Sequence, residues 1–328
     1  MLLLIDADPI VYRCGFAAET TGYHIFYEDA EGVVADCEFW PKVKEKATDT
    51  YITAGDRIRA WKANNPDFVI LEQERKAIPE SLDHCLHIVK QELSNIVAAV
   101  AKKFPGAAHI ERFVYLTGKE NFRDKLATIK PYKGNRDKLH RPVHYEAIRQ
   151  YMIDNWDAIV INGQEADDAV SIIANYHFEV EEFESFVVAT VDKDLDQIPG
   201  HHYDYRQHVW YFVGEHDAEH WFYVQALAGD ATDNIGGCYK TGLGKAEKVI
   251  SAVESEHGHH PAMFWKAIVE QYEASKLLPD CPYADMDTFD VALENARLVY
   301  MRRKDGEIWQ PPELPKGGAK GKAKRKKK

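Results

Sequence analysis

The sequence predicts an α/β fold in which helices flank a central, mostly parallel sheet. Helical spacing of apolar residues is clear in several segments, most of all from Ser81 to Lys103. Acids follow three apolar runs, at the strand ends where open α/β sheets bind ligands. The runs typical of buried parallel strands lie at 2–5, 113–116, 158–161 and 186–191.

Length and composition favour a cytoplasmic protein that does not contact a membrane. With 328 residues, of which 45% are hydrophobic, the chain can bury one large core and carry an appendage. It has no apolar run of 18 residues and no signal-peptide layout at its N-terminus. Its five cysteines follow neither a zinc-binding spacing nor a disulfide framework, which fits a reducing compartment.

The net charge of −12 is unevenly distributed. Residues 316–328 hold eight Lys or Arg and no acid, so the rest of the chain carries −20. This tail has no apolar residue larger than Ala, and we expect it to be disordered. It would either tether DNA by neutralising phosphates or be merely solvated, and the sequence favours neither alternative.

Three carboxylates, Glu165, Asp167 and Asp168, stand at the start of a helical pattern that follows the apolar run 158–161. Acids also favour the first turn of any helix because of its dipole. Three acids in four residues repel one another unless a cation lies between them, and Mg²⁺ prefers oxygen ligands of this kind.

Two other apolar runs also end in acids. Asp6 follows the run at the N-terminus, and Asp192 and Asp194 follow the run 186–191. Because the carboxyl ends of parallel strands meet at one edge of a sheet, these acids are predicted to converge with Glu165 on one metal site.

The remaining elements are predicted from periodicity and turn residues. Alternating patterns indicate hairpins at 23–40 and 201–213, and a short strand is indicated at 68–71. Helices are expected at the following positions: 55–62, 145–155, 218–227, 261–272 and 287–303.

A basic segment joins Arg123 to Arg136. It interleaves Lys130 and Lys133 with the aromatic Tyr132, a mixture that suits contacts to phosphates and stacking on a base. A solvated basic loop is the alternative. Further along, Gly242 and Gly244 form a turn that opens a helix, where backbone amides can receive a phosphate.

Taken together, these motifs resemble the 5′-nuclease superfamily, which includes flap endonucleases and phage 5′→3′ exonucleases, and the stand-alone phage exonucleases are the most similar. The resemblance runs from Met1 to about Pro312 and is weak between Phe26 and Lys103. It rests on five blocks in order: 4–8, 121–136, 165–168, 192–194 and 229–244.

The resemblance implies a fold and a domain order. The fold is PIN-like, with a nuclease core over 1–214 that holds an inserted segment at 23–110 and a helical arch at 118–143. A helical subdomain of the helix–hairpin–helix type (H3TH) spans 215–312, and a disordered basic tail spans 313–328.

The resemblance also implies the roles of the site residues. Tyr132, Lys133 and Arg136 hold the scissile phosphate and the terminal base, and Arg123 and Lys130 bind DNA. Gly242, Gly244, Lys245 and Lys248 grip the duplex backbone near a turn where relatives bind K⁺. The implied ligands of two Mg²⁺ or Mn²⁺ ions are Asp6, Glu165, Asp167, Asp168, Asp192, Asp194, Asp230 and Asp233.

The chain departs from the family at two places. Many relatives have an Asp near Gly118, so one metal position is expected to be weaker or completed by water. The segment from Asn234 to Gly244 is longer than usual and lacks the typical Pro of the K⁺ site.

The expected function is therefore metal-dependent 5′→3′ exonuclease activity on DNA duplexes, by a monomer. RNA strands of RNA–DNA hybrids are further candidate substrates. A structure-specific 5′-flap endonuclease is the alternative within the enzyme class. A non-catalytic DNA-binding replication factor is the alternative from another class.

Overall fold

The computed structural model describes residues 1–42, 52–107, 109–136, 140–180 and 186–313. The described strands are β1 Leu2–Asp6, β2 Glu19–Glu28, β3 Val34–Phe39, β4 Val69–Pro79, β5 Glu111–Asn121, β6 Ile159–Gly163, β7 Phe186–Thr190, β8 Gly200–Asp204 and β9 Val209–Val213. The described helices are α1 Asp8–Ala17, α2 Ala54–Asn64, α3 Leu82–Lys103, α4 Phe122–Leu126, α5 Tyr145–Trp156, α6 Ala166–Val180, α7 Glu215–Ala228, α8 Leu243–His257, α9 Pro261–Lys276 and α10 Thr288–Val299.

Six strands form one mainly parallel sheet in the order β6-β5-β1-β7-β8-β9. Strands β7 and β8 are parallel, and β8 turns back into the antiparallel edge strand β9. The predicted α/β class and the hairpin at 201–213 are confirmed. β7 is buried along its whole length, which explains why its sequence is a continuous apolar run.

The chain divides into two compact units. The first unit contains Met1–Leu4, Thr117–Lys138 and Val160–Lys328, and the second contains Ile5–Leu116 and Leu139–Ile159.

The second unit carries a three-stranded antiparallel sheet in the order β3-β2-β4. Helix α2 begins with a capping box at Thr53, and its Trp61 packs with Ile25 and Phe39 from the sheet. The predicted hairpin at 23–40 and the predicted helix near α2 are confirmed. Strand β4 is longer than the strand predicted at 68–71. The charged stretch from Glu72 to Lys76 has no apolar alternation, so its sequence does not indicate a strand, yet it pairs with β2.

Helices α1, α3 and α5 pack against one another in the same unit. The buried stripe of α3 runs through Cys85, Val89, Leu93, Ile96 and Val100, which confirms the amphipathic helix predicted from this spacing.

Helices α7 to α10 build the main core of the first unit. Aromatic side chains dominate it, with Trp265, Phe222 and Tyr272 almost fully buried. The helical segments predicted at 218–227 and 261–272 are therefore confirmed, and these helices enclose a shared apolar interior. The helix predicted at 287–303 is confirmed as far as Val299, and the residues from Tyr300 to Arg303 are not helical.

A chain of alternating carboxylates and imidazoles links α7, α8 and the start of α9. His259 contacts Glu219 through Nε2 (2.6 Å) and Glu254 through Nδ1 (3.2 Å). His220 contacts the second oxygen of Glu254 (3.1 Å) and also Glu247 (3.0 Å). Because carboxylates only accept hydrogen bonds, His259 can donate to both of its partners only when it is protonated.

The free energy of unfolding is expected to depend on pH through His259. Burial lowers the pKa of His259, but the Glu219 and Glu254 carboxylates outweigh burial and raise it above the ordinary value. The stabilisation is therefore complete below the unfolded-state pKa, ~6.5, and is lost as the pH rises through the higher folded-state pKa. His259→Gln should lower the melting temperature at pH 6 and have little effect at pH 9.

Thermal denaturation between pH 5.5 and 9 measures this difference. His87→Gln is the matched control, because His87 is exposed on α3 and should leave the pH profile unchanged. An equal loss of stability at both ends of the range for His259→Gln would contradict a charged imidazole in the folded protein.

The domain boundaries at 214 and 312 are implied by the family resemblance, and they stay predictions. The basic tail lies almost wholly outside the described residues, as do Asp137 and Lys138 beside the basic segment. Within the described ranges, no helix combines the length and the apolar character needed to cross a membrane.

Candidate active site

The first group of acids lies where β6 passes into α6. Gly163 at the strand end has a φ of +81°, a left-handed conformation that favours glycine and turns the chain toward the helix. Glu165 precedes the helix and is 7% exposed. The Thr117 hydroxyl accepts a hydrogen bond from Ala166 N (2.9 Å), which satisfies one of the free amides at the start of α6.

The second group consists of Asp194, Asp230 and Asp233, whose carboxylate oxygens lie within 4.8 Å of one another. Asp192 ends the loop after β7 and accepts a hydrogen bond from Asp194 N (3.0 Å), which starts a short 3₁₀ helix. Asp230 accepts from Thr232 N (2.6 Å) in the turn after α7. These local turns aim three acids from two separate loops at a common volume.

Tyr132 connects the two groups. Its hydroxyl lies 2.7 Å from Glu165 Oε2 and 2.7 Å from Asp233 Oδ2. Lys133 makes an ion pair with Glu165 and lies 3.5 Å from Asp233, and Arg136 makes an ion pair with Asp233. The predicted phosphate-binding residues therefore contact the predicted metal-binding acids directly.

The negative charge of the second group of acids is poorly compensated. Burial and the neighbouring Asp192, Asp230 and Asp233 raise the pKa of Asp194 to about 8. In the first group, burial raises the pKa of Glu165, but Lys133 and Arg123 outweigh burial and hold this pKa below the ordinary range. A cation beside Asp194 would relieve the repulsion there.

The donor set fits a hard divalent cation. Asp194, Asp230 and Asp233 offer only carboxylate oxygens, the ligands that Mg²⁺ and Mn²⁺ take in proteins. Asp167 is a further candidate beside Glu165, since burial and the carboxylates of Glu165 and Asp168 raise its pKa well above the usual range.

Other predicted metal ligands lie in different surroundings. Asp168 is fully buried and faces Arg123, which is itself buried. Asp192 is exposed at the end of β7. Asp6 ends β1 and is buried within the second unit. Their predicted roles as ligands stay predictions.

Tyr132 is 8% exposed, so its ring has no free face for a nucleotide base in this conformation. Lys133 has a left-handed backbone (φ +52°), and its amide donates to Asp233 O (2.9 Å). The predicted stacking role of Tyr132 therefore requires this segment to move away from Asp233.

The predicted DNA-binding residues of the Gly-rich turn lie at the surface. Gly242 precedes the first turn of α8 without a side-chain cap, and a Cβ added at Gly242 or Gly244 would contact nothing. Lys245 and Lys248 are exposed on the first turns of the helix. Lys130 is also exposed and lies near Gly236.

Gly118 is enclosed by β6. A Cβ at this position would lie 2.3 Å from Asn162 Oδ1 and 2.6 Å from the Ile161 carbonyl oxygen. Asn162 Oδ1 also accepts a hydrogen bond from Lys119 N (2.9 Å). A side chain at position 118 would therefore clash with β6, and the prediction that one metal position is weaker stays a prediction.

Sequence reasoning missed two residues that hold the site together. Gln225 on α7 donates from Nε2 to Asp194, and Thr117 caps α6. Neither residue belongs to a charged or glycine-rich motif, so no pattern in the sequence distinguishes it.

Comparison with solved structures returns 5′-nucleases of bacteriophage T5. The T5 5′-exonuclease with bound divalent metal ions (zinc) is 19% identical, with 64% of this chain and 80% of that chain covered and a TM-score of 0.45. A T5 flap endonuclease variant in a pseudo-enzyme–product complex with DNA and metal ions is 20% identical, with 63% and 79% covered and a TM-score of 0.45. These proteins belong to the group that the sequence motifs resemble.

No family model matches the chain, and no curated protein sequence matches it.

Replacing one acid of the second group should stabilise the metal-free protein. Asp194→Asn removes a charge that burial and three neighbouring carboxylates disfavour. We expect a gain on the order of 1 kcal/mol, or roughly 2 °C in melting temperature, in EDTA at pH 8. The same variant should lose the thermal stabilisation that Mn²⁺ gives to the wild type.

Asp196→Asn is the matched control, because Asp196 accepts from Tyr211 (2.8 Å) and lies outside the cluster of three acids. It should keep the Mn²⁺-induced rise in melting temperature. An unchanged Mn²⁺ response in Asp194→Asn would show that the metal binds elsewhere.

Proposed function

We propose that the chain is a divalent-metal-dependent 5′-nuclease that degrades duplex DNA in the 5′→3′ direction. The observation that carries the proposal is the direct pairing of Lys133 and Arg136 with Glu165 and Asp233, next to the cluster of Asp194 and Asp230. Metal-binding acids and phosphate-binding bases are thus assembled in one place.

Two ions, Mg²⁺ or Mn²⁺, are proposed to bind at the two acidic groups. Asp194, Asp230 and Asp233 would hold one ion, and Glu165 and Asp167 would contribute to the other. The resemblance adds Asp6 and Asp192 to the ligand set. Divalent ions bound there would supply positive charge beside the scissile phosphate and activate a water molecule for in-line attack.

Lys133 and Arg136 would exchange partners during the reaction cycle. In the structure, they pair with Glu165 and Asp233. With cations held by these acids, both bases would be available to donate to the phosphoryl oxygens. Negative charge grows on those oxygens as the water oxygen bonds to phosphorus and the leaving oxygen departs. Tyr132 would be released at the same step and stack on the terminal base.

The start of α8 would hold the duplex at a distance from the cleaved bond. Its amides at Leu243 and Gly244 stand at a helix N-terminus, and Lys245 and Lys248 flank them. Backbone amides and lysines contact phosphates without reading sequence, which suits a nuclease that acts on any duplex. The predicted K⁺ site belongs to the same turn.

These roles agree with the predicted domains. We propose residues 1–214 as the nuclease core, with the insertion 23–110 and the arch 118–143, and residues 215–312 as the DNA-binding subdomain.

Cleavage of a duplex with a labelled 5′ strand tests the function. With Mg²⁺ we expect the wild type to release mononucleotides and short products. We expect no products in EDTA. Asp230→Asn should also release no products but should still bind DNA. Longer fragments released from a 5′-flap substrate would favour the flap endonuclease, and cleavage of RNA in a hybrid would widen the substrate class. Full activity in EDTA would contradict the proposal.

Lys133→Ala should affect metal binding and cleavage in opposite directions. The Lys133 ammonium occupies a cation position beside Glu165 and Asp233, so its removal should tighten Mn²⁺ binding by roughly three- to tenfold. Cleavage at saturating metal should fall by about 10²–10³, because a donor to the transition state is lost. Calorimetric Mn²⁺ titration and single-turnover kinetics measure the two effects.

Lys130→Ala is the control, since Lys130 is an exposed lysine near Gly236. It should leave Mn²⁺ affinity unchanged. Weaker Mn²⁺ binding in Lys133→Ala would show that Lys133 supports the metal site rather than competes with it.

Replacing Lys245 and Lys248 together by Gln should weaken DNA binding and its salt dependence. If each lysine neutralises one phosphate, the slope of log affinity against log salt should become shallower by about 2. Single-turnover cleavage at saturating DNA should be retained. The double variant Lys266→Gln with Lys102→Gln removes two exposed lysines elsewhere and should leave the slope unchanged. A slope equal to that of the wild type would remove α8 from the DNA interface.

A further inference from the structure

The ion pair between Arg123 and Asp168 is the most deeply buried contact of charged groups near the candidate site. We propose that Arg123 and Asp168 bind neither phosphate nor metal, and that they form a positioning pair that holds the metal-binding loop at Glu165 against the segment 298–302. The proposal rests on the proposed function, because it takes the loop at Glu165 to be a metal-binding loop.

Arg123 has no accessible donor for a phosphate. Its side chain is 1% exposed, and its nitrogens are directed inward. Nε donates to Leu298 O (2.9 Å), Nη1 to Asp168 Oδ2 (2.5 Å), and Nη2 to both Asp168 Oδ1 (2.9 Å) and Tyr300 O (2.9 Å). Contact with DNA would break four buried hydrogen bonds.

Asp168 has no free acceptor position for a metal. Its carboxylate offers about four acceptor sites, two on each oxygen. Oδ2 accepts from Arg123 Nη1 and from Glu165 N (3.2 Å), and Oδ1 accepts from Arg123 Nη2 and from Arg302 N (3.3 Å). All four sites are used, and the side chain is 0% exposed.

The same contacts fix the loop that carries the other acids. Asp168 holds Glu165 by its backbone amide, and its own amide donates to Asp167 Oδ1 (3.0 Å). Arg302 reinforces the arrangement, because Nη1 donates to Gln164 (2.9 Å) and the guanidinium lies 3.3 Å from the centre of the Phe122 ring. The pair therefore joins α4, the start of α6 and the chain after α10.

A double-mutant cycle distinguishes a positioning pair from a ligand. The variants are Arg123→Gln, Asp168→Asn and their combination, with Mn²⁺ number and affinity measured by calorimetry. We expect each single variant to bind the same number of ions about tenfold more weakly, and the double variant to be no weaker than Arg123→Gln. Loss of one ion in Asp168→Asn alone, or effects that multiply in the double variant, would overturn the proposal.

DNA affinity tests the other half of the proposal. Arg123→Gln should keep the salt slope of DNA binding and lower the cleavage rate constant. A slope shallower by about 1 would mean that Arg123 contacts a phosphate, against the proposal. If the Gln variant does not fold, Arg123→Lys replaces it. The cleavage rate constant of Arg123→Lys should lie between those of the wild type and Arg123→Gln, because lysine cannot contact the carboxylate and both carbonyls in the same fork geometry.

Hydrogen exchange in EDTA separates this proposal from the proposed function. Both single variants should speed amide exchange in peptides that contain 164–168 and 298–302. Unchanged exchange would overturn the positioning role even if the protein is a nuclease. If exchange is faster in the variants but the protein binds no Mn²⁺ and cuts no DNA, the nuclease function would be refuted. The structural role of the Arg123–Asp168 pair would still be supported. Arg75→Gln, which breaks the buried pair with Glu19 in the second unit, is the control and should leave Mn²⁺ affinity unchanged.

Discussion

The candidate site depends on compensating the charge of carboxylates gathered in a partly buried place. Glu165 and Asp233 pair with Lys133 and Arg136, while Asp194 has no basic partner among the described residues and its pKa rises to about 8. This imbalance distinguishes acids that pair with basic side chains from acids whose charge an external cation would compensate. A cation bound at the second group would also compete for Asp233, and this shared residue would couple metal binding to release of the basic side chains.

The sheet and the positions of its acids could be predicted because both depend on local signals. A buried parallel strand shows as a continuous apolar run, and the residue after the run lies at the sheet edge. The runs that became β1 and β7 gave Asp6 and Asp192 in this way. The run at 158–161 also preceded Glu165, but the prediction of a buried strand was wrong there, because β6 is an edge strand of the sheet and is mostly exposed. The length of β4 could not be predicted, since its pairing with β2 overrides a charged sequence without alternation.

The environment of each charged residue could not be predicted from its motif. Arg123 stands among solvated basic residues in the sequence, yet its partners lie 45 residues away at Asp168 and 175 away at Leu298. Tyr132 has the sequence context of a stacking aromatic and is instead a hydrogen-bond donor between two acids. Burial and partner choice are long-range properties, so a single sequence gives the residue types of a site more readily than the state of each residue.

The enclosure of Gly118 constrains how this site can change. A side chain there meets Asn162 and the backbone of β6, so an acid introduced at 118 alone would disrupt strand packing before it could bind a cation. Shortening Asn162 alone would remove the acceptor for Lys119 N. Neither single step is favourable, and even the combined change leaves the Ile161 backbone oxygen 2.6 Å from the added Cβ. An acid at 118 would therefore require the backbones of β5 and β6 to separate at this point, where the two strands are paired neighbours in the sheet.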